Sequence, residues 1–351
     1  MKSANFYAED LEMSVDFKSI VGNAELKKRM SRDISDGTLS HAYIIEGPKG
    51  SGRHTFAYNV AAALACTSND SVPCGKCRNC QRIFSGKSPD VITVGLEEDK
   101  VTMGVETVRE VRDSMVMAPS DFDYKVYVIE NTDVMTPQAQ NAFLLSLEEP
   151  PQYVLFLLLC ENSTSLLETV RSRAPSLRLE HLDDAEVEDY VIDHDARATL
   201  LETEDEEVFK TIIHAADGRI GRALELLDER PRRALLEERQ IAQKILSLFL
   251  SPNRAEVLGI ASTLGNKRVD VIRYLTVVEY AIRDLIVLKK AENAHLCFYL
   301  DKEEAQELST RFTSVSLMSI YDAISDAILD LEANANVKLT VLNMMQKAGL
   351  I

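Results

Sequence analysis

The stretch His41–Thr55, HAYIIEGPKGSGRHT, limits what this chain can fold into more than any other. A short apolar run, Ala42 to Ile45, leads into Gly47, Gly50 and Gly52, and an alanine-rich helical pattern follows from Phe56 to Ala65. Strand, glycine-rich loop and helix in that order make a phosphate-binding loop, in which backbone N–H groups and the next helix N-terminus point at an anion. An ordinary glycine-rich turn is the other reading, and the strand before it and the helix after it favour the loop. Gly47 and Gly52 take the two framing positions, but the Lys and the Ser or Thr expected next are Arg53 and His54. An ammonium is a compact point charge, whereas a guanidinium is a longer planar fork. His54 has no hydroxyl for magnesium. The expectation is a phosphate loop with impaired chemistry.

Cys66, Cys74, Cys77 and Cys80 come next, spaced C-x7-C-x2-C-x2-C. Four thiolates at such spacing match a closed tetrahedral zinc site, with no position left open for water, so the metal would be structural. Four unrelated reduced cysteines, or two disulfides, are the alternatives. Pro73 and Gly75 supply a turn between the ligands, and the clustering differs from a secreted disulfide framework.

Asp90–Val94 (DVITV) reads as a second strand, and Val101–Met117 as a helix with Val105, Val108, Val111 and Met115 on one face. The strand KVYVIENTD, residues 125–133, carries the second defect. In a working phosphate-loop ATPase it ends in an Asp that helps hold magnesium. An adjacent Glu often activates the water. Glu130 and Asn131 stand there instead, and an amide cannot accept the proton a general base must take. Both defects together argue against hydrolysis.

Phe17–Arg32 reads as a turn and a helix capped by Asn23, with Leu26 and Met30 inward, while residues 1–16 read as a loosely held acidic extension. Glu180–Glu207 is rich in Asp and Glu, the pattern of a solvated helical face. Past Arg230–Pro231 the pattern is helical. Ile241, Ile245 and Leu248 form one apolar stripe; Val271, Leu275, Val278, Ile282 and Leu285 a second; Ile320, Ile324, Ile328 and Leu331 a third. A length of 351 residues suits two or three domains. A formal charge of −17 excludes a broad nucleic-acid surface, because phosphate binding rests on Lys and Arg. No apolar run reaches the ~18 residues of a membrane span. The N-terminus lacks a basic-then-apolar signal pattern, so a cytoplasmic location is expected.

Thr136–Pro151, TPQAQNAFLLSLEEPP, is similar to a segment of the bacterial replicative clamp-loader subunits of DNA polymerase III, which are AAA+ proteins. In that family a helix of the form NALLKTLEEPP follows the magnesium-binding strand. Phe17–Arg32, the degenerate loop, the four cysteines and VRSRA (170–174) fall in the family's order and spacing, and the resemblance covers residues 17–230 with a weaker echo near the C-terminus. It implies an AAA+-type α/β domain with a parallel sheet over 17–179, including the zinc module at 66–80. A small helical lid over 180–231 and an all-α helical-bundle collar over 232–351, for oligomerisation, would follow. Within the family the chain resembles the subunit type that keeps the ATPase fold without its machinery.

The family carries a Ser-Arg-Cys motif whose arginine reaches a neighbour's ATP. Here it stands as Ser172, Arg173 and Ala174, so the arginine remains and the Cys does not. The resemblance makes Arg173 an arginine finger acting in trans; without it, Arg173 reads as a surface residue beside Arg171 and Arg178. Cys160 and Glu161 fall where the family has its first sensor threonines. Gly221 stands where the ATPase subunits carry a sensing Arg, and Arg222, one place on, is given no nucleotide role.

The implied task is that of a non-hydrolysing subunit. It would complete a hetero-pentameric ring with ATPase subunits and a delta subunit, and help place a sliding clamp on primed DNA reached through the complex, away from any membrane. Two rivals remain: an ATP-hydrolysing motor subunit using Arg53 in place of Lys, and a switch that holds ATP or ADP at Gly47, Gly50, Gly52, Arg53 and His54 without turnover.

Overall fold

The computed structural model describes residues 15–68, 71–96, 100–250, 259, 267–291 and 295–350. The chain divides into two compact units, one running to Leu182 and including 219–221, the other comprising 183–218 and everything from Arg222 onward.

In the first unit α1 (Ala24–Ser35), β1 (Ala42–Glu46), α2 (Arg53–Ala65), α3 (Arg78–Phe84), β2 (Val91–Val94) and α4 (Val105–Ser114) precede β3 (Lys125–Ile129). They are followed by α5 (Pro137–Glu148), β4 (Val154–Cys160), α6 (Glu168–Arg171) and β5 (Ser176–Arg178). The five strands pair in the order β2-β3-β4-β1-β5, and every pairing is parallel. A parallel sheet is covered on both faces, which is why β3 (KVYVI) and β4 (VLFLLLC) are buried throughout and read as near-continuous apolar runs. The pleat divides them. Val126 and Val128 face one core with Phe17, Met30, Phe56 and Val60, whereas Tyr127 and Ile129 face another with Val108, Val111, Phe143 and Phe156. Glu46 lies opposite Cys160, so the loops leaving β1 and β4 start side by side at the carboxyl edge of the sheet, where such folds bind ligands.

Several local expectations need correction. Asn23 sits at the N-cap of α1 but in the left-handed region, and its side chain makes no cap. Its amide donates to the Val21 carbonyl and its oxygen accepts from the Glu180 backbone, so the residue ties the helix start to the chain leaving β5. The helix expected over Val101–Met117 is shorter, because Gly104 is extended and starts it at Val105. Of the acidic extension, residues 1–14 lie outside the described residues. Its last two are not loose: Val15 is buried and bridges Val72, and the Asp16 N–H donates to the Val72 carbonyl.

The second unit is helical: α7 (Asp184–His194), α8 (Ala196–Glu204), α9 (Glu206–Ala216), α10 (Ile220–Leu226, whose first residues belong to the first unit), α11 (Glu229–Leu250), α12 (Arg268–Leu288), α13 (Lys302–Thr310), α14 (Ser314–Glu332) and α15 (Val337–Lys347). Pro231 falls within the first turn of α11, where a missing N–H costs no helical bond. The five apolar residues read from α12 are all buried, with Ile245, Leu248, Ile320, Ile324 and Leu331; Ile241 and Ile328 lie half-buried at the rim. Asp189, Asp193, Glu204, Glu206 and Glu207 are exposed while Val187, Val191 and Phe209 turn inward, the arrangement of a solvated acidic face. Among the described residues no helix is long and apolar enough to cross a membrane.

Candidate functional site

Gly47 follows β1 directly, and its N–H donates to the Cys160 carbonyl at 3.2 Å, continuing the strand pairing by one residue. A side chain here would meet Leu179 at 3.3 Å and the Ser51 hydroxyl at 2.6 Å, so the close approach requires glycine. Gly50 and Gly52 have φ of 88° and 94°, a region that L side chains avoid, and Gly52 is the N-cap of α2. The strand, loop and helix of the expected phosphate loop are thus present.

Arg53 and His54 each face a carboxylate of their own chain. Arg53 is only 8% exposed, and its Nη2 lies 3.8 Å from Oε1 of Glu161, the residue after β4. That distance is an ion pair without a hydrogen bond, and Nη1 is buried with no hydrogen-bond partner. His54 Nδ1 lies 3.3 Å from Glu130 Oε1, at the end of β3. Asn131 is left-handed, with φ of 50°. Burial, with Glu46 and Asp133 nearby, pushes the Cys160 thiol up to about 12, so it stays protonated between the two strands' ends.

Gly221 has a physical reason. Its N–H, in the first turn of α10, donates to the Gly50 carbonyl at 2.9 Å. A Cβ there would lie 3.0 Å from both Gly50 Cα and Gly50 O, closer than side chains tolerate. The segment 219–221 therefore rests backbone on backbone over the loop. Arg222 donates instead to Glu225 at 2.9 Å.

These residues fit an oxyanion better than a magnesium nucleotide. The buried Arg53 Nη1 and the buried, unpartnered Ser51 hydroxyl are polar atoms that a phosphate oxygen could satisfy. No hydroxyl at 54 and no carboxylate at 131 stand ready for magnesium or for water, and Glu161 already lies against the loop's cation.

Arg173 lies on the other side of the unit, just past α6 and 36% exposed in its side chain. Its Nη1 donates to the Thr169 carbonyl at 3.0 Å and its Nη2 to Glu148 Oε1, the last residue of α5, at 2.9 Å. Sequence reasoning identified neither glutamate partner. Glu161 was visible only as a departure from a sensor position, and Glu148 only as part of the LEEPP resemblance.

The four cysteines converge. The Sγ atoms of Cys66, Cys74, Cys77 and Cys80 all lie within 4.8 Å of one another, against ~3.8 Å for four thiolates around one tetrahedral zinc. Cys66 ends α2 and Cys77 caps α3, whose Cys80 N–H donates to the Cys77 sulfur at 3.5 Å. The Cys74 N–H donates to the Cys66 sulfur and the Cys77 N–H to the Cys74 sulfur, at 3.4 and 3.3 Å. Burial raises the thiols of Cys66 and Cys80. At Cys77 burial is outweighed by hydrogen bonds from Cys80 and Thr67, which bring its thiol down to about 6. Cys74 is lowered by the N–H groups of Cys77 and Lys76. N–H donors aimed at the sulfurs stabilise thiolates, and this donor set fits a structural zinc ion.

Residues 22–183 match the family described as DNA polymerase III, delta subunit. The chain is 32% identical over 213 residues to a DNA polymerase III subunit gamma of Buchnera aphidicola, covering 60% of this chain and 57% of that protein. It is 33% identical over 168 residues to the DNA polymerase III subunit delta' of Bacillus subtilis, covering 48% and 50%. The chain thus spans little more than half the length of these relatives. A solved gamma subunit-related protein of Thermotoga maritima is 18% identical with a TM-score of 0.42, covering 93% of this chain and 98% of that one.

Proposed function

We propose that this chain, which over residues 22–183 matches the DNA polymerase III delta subunit family, is a clamp-loader AAA+ protein with the role of a non-hydrolysing subunit of the delta' type. It completes a hetero-pentameric ring with ATPase subunits and a delta subunit, lends Arg173 in trans to a neighbour's ATP, and helps load the sliding clamp onto primed DNA. The supporting observation is that the two residues standing where the loop's Lys and Ser or Thr are expected each face an acidic residue of their own chain, Arg53 facing Glu161 at 3.8 Å and His54 facing Glu130 at 3.3 Å. A buried guanidinium that already faces a carboxylate is poorly placed to follow charge on a transferring phosphoryl group.

In this reading Cys66, Cys74, Cys77 and Cys80 hold a structural zinc, residues 180–231 form the lid, and 232–351 form the collar that joins neighbouring subunits. Val269, Leu339 and Leu342 are exposed on the second unit, and such apolar side chains are the kind a collar would cover. The test is ATP turnover with magnesium by the purified chain alone and by the chain mixed with clamp-loader ATPase subunits. Silence alone with stimulation in the mixture is expected. Turnover by the chain alone, lost on Arg53→Ala, would make it a motor subunit instead.

A further inference from the structure

We infer that Glu148 is the positioning residue for Arg173: it holds the guanidinium in place from within the same chain, before a neighbour's phosphate arrives. The inference rests on the proposed trans role of Arg173. A free arginine side chain samples many rotamers, and holding its planar fork beforehand reduces what must be lost when it meets a ligand. Two carbonyl-type oxygens do this here. The Thr169 carbonyl accepts from Nη1 at 3.0 Å, and Glu148 Oε1 accepts from Nη2 at 2.9 Å. Thr169 lies in α6, one turn before Arg173, while Glu148 closes α5. The fork is therefore fixed to two helices and does not depend on its own flexible stem.

The clamp leaves the fork usable. A guanidinium has five N–H donors, and the two contacts take two of them. With its side chain 36% exposed, Arg173 keeps donors free for an incoming phosphate. Glu148 is about half exposed, so its carboxylate is solvated and attracts the guanidinium without neutralising it as a dry ion pair would. A contact of this kind aligns the arginine at low energetic cost, and orientation is where a small change in geometry costs rate.

The test uses the full chain assembled with clamp-loader ATPase subunits, reading kcat and KM for ATP separately. Glu148→Ala should lower kcat about three- to tenfold with KM nearly unchanged. Glu148→Gln, which keeps an oxygen acceptor for Nη2, should fall between Ala and the parent. In an Arg173→Ala background, Glu148→Ala should add no further loss, because Glu148 acts through Arg173 alone. If Arg173→Ala lowers turnover while Glu148→Ala does not, the positioning role is overturned and the finger stands. Faster turnover with Glu148→Ala overturns it as well, making the glutamate a restraint. If Arg173→Ala itself changes nothing, the finger reading fails, and the positioning role falls with it. Thermal unfolding of each variant separates these outcomes from a folding defect.

Discussion

Two arginines in the same α/β unit each face a glutamate, and they differ in burial and in how they are paired. Arg53 is 8% exposed, lies 3.8 Å from Glu161 without a hydrogen bond, and leaves one buried nitrogen unpartnered. Arg173 is far more exposed and makes two well-formed hydrogen bonds, to Thr169 and Glu148. A buried cation can serve only a ligand that enters its own chain. A partly exposed cation held by its neighbours could be offered to another subunit. The chain has kept a phosphate-loop backbone around the first arginine and an oriented side chain at the second.

The largest effect expected from this contrast is at Arg173. Arg173→Ala should lower hydrolysis at the one neighbouring ATP site it serves on the order of 10³-fold, the scale of known arginine fingers, with assembly unchanged by size-exclusion chromatography. Hydrolysis at that site within a factor of two of the parent would erase the contrast. Metal removal should act on the Arg53 side of the sheet. The cysteines pack against the same core as α2, and the Asn79 amide donates to the Ala65 carbonyl at the end of that helix. Stripping the metal with a strong chelator should therefore cost on the order of several kcal/mol in denaturant unfolding. Elemental analysis finding no zinc in freshly purified protein would remove the metal from the account.

A smaller effect should follow Gly221→Ala. Its Cβ would press on Gly50 backbone atoms at 3.0 Å, and a backbone neighbour cannot swing away, so a loss of about 1–3 kcal/mol is expected on thermal unfolding. An unchanged melting temperature would mean that the 219–221 segment does not rest on the loop in solution. The smallest effect belongs to Arg53→Met. Replacing a poorly paired buried cation by an apolar chain of similar length should leave stability within about 1 kcal/mol and complex turnover unchanged. A large loss of turnover there would put working nucleotide chemistry back into the loop.

Much of the fold was legible locally. The parallel sheet was what the resemblance implied, whereas the apolar runs of its strands and the apolar stripes of the second unit were legible directly, because both periodicities are properties of the backbone itself. The convergence of four sulfurs was legible too, since short spacing around a turn leaves few other places for them. Asn23 shows where that logic stops. A capping residue directly before a helix has one local use, but the structure turns its side chain to Val21 and Glu180.

The sequence by itself determined the glycines of the loop, the loss of the hydroxyl at 54 and of the carboxylate at 131, and the cysteine cluster. Each is a matter of residue chemistry at fixed local spacing. Only the tertiary structure decided which carboxylate faces which base: Glu161 meets Arg53 because β4 and β1 end in register, and Glu148 meets Arg173 because α5 ends beside α6. It also decided why residue 221 is glycine, through a backbone contact with Gly50. Charge pairing and close approach depend on distances set by packing between segments remote in the chain. No single stretch of sequence contains those distances.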